Sequence, residues 1–122
     1  MNDWSPDSPI YLQVRERLAG MILDGLLHDG DALPSVRTIA TDYRLNPLTV
    51  LRAFQILEED GVVEKRRGLG MFVREGGYDR LLALEREVFR TRQWPRIRRT
   101  IARLGLDATT LLDTPPEGDK TP

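Results

Sequence analysis

Two short amphipathic stretches separated by only three residues, with a glycine-tipped basic hairpin directly after the second, constrain this chain more than any other feature. Val36, Ile39, Ala40 and Tyr43 share one helical face, in a helix that Pro34-Ser35 starts. Arg44-Leu45-Asn46 then leaves room for a tight turn and nothing else. Asn46-Pro47 reads as a cap followed by proline at the first helical position. Val50, Ala53, Phe54 and Leu57 follow at i, i+3, i+4, i+7, predicting a helix over 47–60 that Gly61 closes in a left-handed conformation. Residues 62–66 and 71–74 read as strands joined through Arg67-Gly68-Leu69-Gly70, where glycine supplies the positive φ that a tight hairpin needs. Upstream, Ser8-Pro9 predicts the start of a helix over 9–24, carried by Ile10, Val14, Leu18, Met21 and Ile22 and ended by Gly25. Ala32-Leu33 reads as a very short strand.

The order helix, short strand, helix, turn, helix, hairpin is that of a winged helix-turn-helix. Such a unit places its second helix in the major groove of DNA by the N-terminal half, while the first braces it on the backbone. With the apolar stripe turned to the core, helix 47–60 presents Leu48, Leu51, Arg52 and Gln55 outward, with Thr49 at the flank. Arg52 suits bidentate contact with guanine, and Gln55 suits adenine. Leu48 and Leu51 are apolar on a face that should be wet: either they cover a neighbouring helix, or at least one touches a thymine methyl. Ser35 and Asn46 read as caps beside backbone amides that also suit phosphate. Arg37 and Arg44 fall near the path of a DNA backbone. The tip Lys65-Arg66-Arg67-Gly68-Leu69-Gly70 is a basic finger suited to a minor groove. Its Gly-x-Gly follows a strand but does not open a helix, so it is not a dinucleotide site.

Composition removes several classes of chemistry. The 122 residues contain no cysteine and one histidine, His28. Thiolate nucleophiles, cysteine-ligated zinc and histidine triads are therefore excluded, and no metal or cofactor is expected. No apolar run approaches the roughly 20 residues that span a bilayer, and Met1-Asn2-Asp3-Trp4-Ser5-Pro6 lacks the pattern of an export signal. The expectation is a soluble cytoplasmic protein with no membrane partner. His28-Asp29-Gly30-Asp31 and Glu58-Glu59-Asp60 are the candidate catalytic clusters, but one falls in a connection and the other at a helix end. An enzyme is not expected. The net charge of −1 hides segregation: residues 1–34 carry −4, 35–74 carry +2, 75–105 carry +4 and 106–122 carry −3. Sixteen of the eighteen basic residues are arginine, which is compatible with an anionic partner meeting the middle of the chain.

From Tyr78 the pattern changes. Leu81, Leu84 and Val88 form one stripe, Trp94-Pro95 marks a break or fresh start, and Trp94, Ile97, Ile101 and Leu104 form a second. Two short amphipathic helices cannot bury both stripes alone, so packing against a second copy is expected there. A drug-sized pocket of about 300–1,000 Å³ is too large for two helices of one subunit to enclose. The eight arginines between 80 and 103 read as solvated faces with pairs such as Glu85/Arg86/Arg90. The expected organisation is a flexible N-terminus over 1–8, a winged helix over 9–75, a helical dimerisation segment over 76–113 and a disordered tail over 114–122. The fold class is mainly α with a small β-hairpin.

These residues resemble the GntR family of bacterial transcription regulators, and its short YtrA-type branch in particular. The matching stretches are Pro9-Ile10-Tyr11-Leu12-Gln13-Val14, Leu33-Pro34-Ser35-Val36-Arg37-Thr38-Ile39-Ala40, Asn46-Pro47-Leu48-Thr49-Val50-Leu51-Arg52-Ala53-Phe54, Leu57-Glu58-Glu59-Asp60-Gly61 and Arg66-Arg67-Gly68-Leu69-Gly70-Met71-Phe72-Val73. The resemblance implies a homodimeric, operator-binding winged helix, usually a repressor. It also implies DNA contact from Arg37, from the 46–52 stretch in the major groove, and from Arg67-Gly68 in the wing. Leu48 sits where the branch often has Asn, Leu51 where some relatives carry a base-reading Arg, and Met71 where Thr is common. The operator sequence therefore does not transfer from relatives, and no effector is named by the sequence. Winged helices also serve as protein-docking modules without operator specificity, the rival reading. The expected DNA-binding set is Ser35, Arg37, Asn46, Leu48, Thr49, Arg52, Arg66, Arg67 and Gly68. The expected dimer set is Leu81, Leu84, Val88, Trp94, Ile97, Ile101 and Leu104.

Overall fold

Local capping decides where each helix of the first half begins. In the computed structural model, which describes residues 4–115, helix α1 spans Ile10–Leu23, α2 Val36–Tyr43 and α3 Pro47–Glu59. Ser35 caps α2 by accepting the Thr38 amide at 3.0 Å, and Asn46 caps α3 by accepting the Leu48 amide at 2.9 Å. The turn between them rests on Arg44, held left-handed at φ 55°. Helix α1 starts differently from expectation, because Ser8 makes no cap and Pro9 is the N-cap residue. Gln13 ties the preceding segment to this first turn. Its Nε2 donates to the Ser5 and Ser8 carbonyls at 2.7 and 2.8 Å, while its Oε1 accepts the Ser5 amide at 2.7 Å.

Strands β1 (Val63–Arg66) and β2 (Gly70–Val73) pair antiparallel, with Val63 opposite Val73 and Arg66 opposite Gly70. The expected short strand at Ala32-Leu33 is a single bridge from Ala32 to Phe72. The Leu33 amide donates to the Met71 carbonyl and the Val73 amide to the Asp31 carbonyl, at 2.8 and 2.9 Å, so the hairpin is stitched to the chain entering α2. One core joins these elements: Val14, Leu18 and Ile22 from α1, Ile39 and Ala40 from α2, Val50, Phe54 and Leu57 from α3, with Val62, Val63, Met71 and Val73 from the hairpin.

Two expectations are corrected here. The segment before α1 was expected to be flexible, yet from Trp4 onward it is fastened. Trp4 packs on the core and meets Tyr43 edge-to-face at 5.8 Å between centroids, and the Arg17 guanidinium lies 4.2 Å from the Trp4 ring and 5.2 Å from that of Tyr43. The domain boundary expected at 75/76 falls instead after Leu84. Helix α4 (Gly77–Val88) begins where Asp29 accepts the Gly76 and Tyr78 amides at 2.8 and 3.1 Å. It sends Leu81 into the winged-helix core at 0% exposure, with Leu84 packed against that core. Leu81 is therefore unavailable to a second copy. The apolar stripe alone did not reveal this, because a helical face looks the same whether its own chain or another covers it. Residues 1–3 and the tail from 116 lie outside the described residues.

The unit from Glu85 onward is mainly helical among the described residues, with a break at 104–107. Pro95 has no amide hydrogen, and its ring crowds the carbonyl four residues back. The helix is not broken but absorbs the proline in a π-helical turn over Phe89–Gln93, with the Trp94 amide donating to the Phe89 carbonyl. Helix α5 (Trp94–Arg103) follows, then α6 (Ala108–Asp113). Asp107 caps α6, and the Thr110 hydroxyl and amide that donate to its carboxylate hold it below the usual carboxylate range.

Two glycines of this fold have opposite expected responses to alanine. A Cβ on Gly77 would lie 2.4 Å from the Val62 carbonyl oxygen, whereas one on Gly20, inside α1, meets nothing within 4 Å. Gly77→Ala is expected to destabilise by about 1–3 kcal/mol. Gly20→Ala is expected to stabilise by about 0.5–1 kcal/mol, from helix propensity. Urea denaturation of the two variants beside the parent checks both signs.

Candidate nucleic-acid interface

The caps of α2 and α3 bring the expected DNA-binding residues onto one unit, but in different states of engagement. Ser35 is exposed and occupied as a cap, its hydroxyl donating to Thr38 Oγ1 at 2.9 Å. Asn46 is exposed and likewise occupied. Because Pro47 has no amide hydrogen and Asn46 takes the Leu48 and Thr49 amides, α3 offers few free donors at its start. The amides of Val36 and Arg37, at the first turn of α2, have no partner among the described residues. That makes α2 the better phosphate-facing end.

The outward face of α3 is open. Leu48 is 72% exposed, which rules out its covering a neighbouring helix of this unit; Leu51 is half-buried. Thr49 is half-buried at the flank, and Gln55 is exposed. Arg52 is exposed too, but its guanidinium is stacked 4.2 Å above the ring centroid of Tyr11, on α1. Sequence reading missed this partner, because Arg52 lies opposite the apolar stripe of α3 and only its long side chain brings it to the flank of α1.

The hairpin separates its two arginines. Arg66 is half-buried, 3.2 Å from Glu64 and stacked 4.3 Å above the Phe72 ring. Glu64 also faces Arg74 at 3.7 Å, so it shares its charge between an arginine of its own strand and one just beyond β2. Arg67, at the tip, is exposed and has no ion pair among the described residues, and neither has Arg37. Gly68 beside Arg67 adopts φ 75°, a backbone that side-chain-bearing residues avoid. Arg67 and Gly68 thus form a bare, positively charged tip, while Arg66 stiffens the strands below it.

In the candidate catalytic clusters, Asp29, Asp31 and Asp60 hold local structure. Asp29 caps α4, and Asp31 accepts the His28 amide at 2.8 Å. Asp60 lies 3.5 Å from Arg15, and its carbonyl accepts from Arg80 at 2.9 Å. Among the described residues no group of three side chains is placed to hold a metal, and no helix is long and apolar enough to cross a membrane.

Comparison with known proteins agrees with this geometry. Residues 10–73 match the family described as bacterial regulatory proteins, gntR family. The chain is 41% identical over 68 residues to the HTH-type transcriptional repressor YtrA of Bacillus subtilis, covering 56% of this chain and 52% of that protein. It is 39% identical over 74 residues to the HTH-type transcriptional regulator YhcF of the same organism, covering 61% of each. The chain thus spans between half and two thirds of the length of these curated relatives. Among solved structures, a GntR family transcriptional regulator from Listeria monocytogenes is 28% identical with a TM-score of 0.76, covering 90% of this chain and 95% of that one. YtrA from Sulfolobus acidocaldarius, also 28% identical, gives 0.58 over 84% and 96%. These relatives are regulators of transcription and not enzymes. With its winged helix-turn-helix matched across 10–73, the chain belongs to the GntR family.

Proposed function

We propose that this chain is a cytoplasmic, operator-specific transcription regulator that acts as a homodimer, with α3 in the major groove and the hairpin tip at the minor groove. The observation that carries the reading is the convergence, on one unit, of an exposed Leu48 and Arg52 on α3 with uncommitted Arg37 and Arg67 on either side. Phosphate contacts from Arg37, Arg67 and the start of α2 set the register, and the outward face of α3 reads base edges. Repression is the sign of regulation favoured by the name of YtrA in Bacillus subtilis.

Support for dimerisation comes from the second unit. Among its described residues none is buried, while Phe89, Trp94, Ile97, Leu104 and Leu106 are exposed apolar side chains. Such a surface on a short helical segment requires a partner, and a second copy supplies an identical face. Val88, Trp94, Ile97, Ile101 and Leu104 are the interface proposed; Leu84 is at most its rim. Two-fold symmetry then calls for half-sites roughly 34 Å apart, or a multiple.

Three measurements test this reading, each with its expected outcome. Titrated by fluorescence anisotropy against a duplex from its own upstream region, a dimer neutralising about eight phosphates gives a log–log salt slope near −7. Arg37→Gln and Arg67→Gln each reduce that slope by about 2, for two contacts per dimer. A docking module shows almost no salt dependence. On single-base variants of the bound site, Leu48→Ser is expected to relax the preference at one A·T pair per half-site; an unchanged profile removes Leu48 from the reading face. Light scattering at micromolar concentration should return twice the chain mass of 13.9 kDa. Ile97→Glu should return the single mass with unchanged helicity, and a monomeric parent protein overturns the dimer.

A further inference from the structure

Among the described residues, Arg52 is one of three arginines laid against aromatic rings, and it differs from the others in one respect. Arg17 lies at the half-buried Trp4 and Tyr43 rings, and Arg66 is paired to Glu64 as well as to the Phe72 ring. Arg52 is exposed and has no carboxylate partner among the described residues, so its charge is uncompensated. Among the described residues its ring and hydrogen-bond partner is Tyr11: the guanidinium carbon lies 4.2 Å over the ring centroid, and Nη2 is 3.5 Å from the phenol oxygen.

Tyr11 is well placed to hold it. The residue sits in the first turn of α1 on the stripe that continues, at i+3 and i+7, through the buried Val14 and Leu18. That turn is pinned by the Gln13 hydrogen bonds to Ser5 and Ser8, and α1 as a whole is packed on the common core. The ring is therefore a fixed platform. A guanidinium stacked on a ring face keeps its N–H donors in its own plane, and an in-plane fork is what the O6 and N7 acceptors of guanine require. An unsupported arginine would have to select that plane from many rotamers on binding, an ordering cost that pre-placement removes.

We propose that Tyr11 is a positioning residue for specificity: it contacts no base, but holds the plane of Arg52 for bidentate pairing with one guanine in each half-site. The proposal rests on the operator-reading function above, and assigns the discrimination at that base pair to two helices instead of α3 alone.

The test is a matrix of protein variants against every single-base variant of the bound duplex, read by anisotropy at fixed salt. Arg52→Gln should abolish the preference at one guanine-bearing pair per half-site and thereby identify it. Tyr11→Leu should lose roughly two- to fivefold of the discrimination at that same pair, the range for an exposed cation–π contact. It should leave the other positions and the salt slope unchanged, and Tyr11→Phe, which keeps the ring, should retain most of the effect. In the Arg52→Gln background Tyr11→Leu should add nothing, the non-additivity of residues that act as one unit. Far-UV circular dichroism and the melting temperature establish that the variants are folded; should leucine at this position unfold the unit, Tyr11→Gln is the replacement. Three results overturn the proposal: Tyr11→Leu weakening all duplexes alike, having no effect, or sharpening discrimination because the ring competes with the base. A parent protein with no base preference at any position overturns the operator reading itself, and shows this before any variant is made.

Discussion

The seam between α1 and α3 is the constraint on which the rest of this protein depends. Val14, Leu18, Ala19 and Ile22 on one side and Val50, Ala53, Phe54 and Leu57 on the other are all removed from water in one cluster. Each large apolar side chain so buried contributes about 1.5–3 kcal/mol relative to exposure. Because this face of α3 is committed to the seam, its opposite face has no choice but to look outward, and that face carries Leu48, Leu51, Arg52 and Gln55. The same seam sets the height of Tyr11 relative to Arg52. The proposed reading surface and its proposed support thus follow from one packing decision.

Around the seam, polar groups act mainly on geometry. Asn46 and Ser35 start the two helices of the motif, and Asp29 ties a connection to the start of α4 across 47 residues of sequence. Arginine is used in two ways. Arg17 and Arg66 are spent inside the unit on aromatic faces, where the planar guanidinium packs better than an ammonium would. Arg37 and Arg67 have no ion pair among the described residues, so their charge is available to a polyanion. A count of basic residues does not separate these roles, because it is the neighbouring ring or carboxylate that decides.

The second unit follows a different logic. Its helices expose apolar side chains on α5 and α6, up to Leu112 at 86%, and its turns are satisfied locally by a π turn at the proline and an Asp107 cap. None of its described residues is buried, so it has local order without a core among them, which is why a partner surface is proposed for it.

By itself the sequence determined the order of elements, the helix caps at Ser35 and Asn46, the glycine-tipped hairpin and the outward face of α3. All of these are local: they depend on a residue and its neighbours within about one turn, and on a periodicity that survives any packing. Only the tertiary structure decided that Trp4 is fastened by Arg17 and Tyr43, that Gln13 ties Ser5 and Ser8 to the head of α1, that Leu81 belongs to the first core, and that Arg52 rests on Tyr11 while Arg66 rests on Phe72. Tyr11 and Arg52 are 41 residues apart, and Leu81 has the same helical spacing whether it meets its own chain or another. Periodicity names the face that is buried, but only the packed chain says against what.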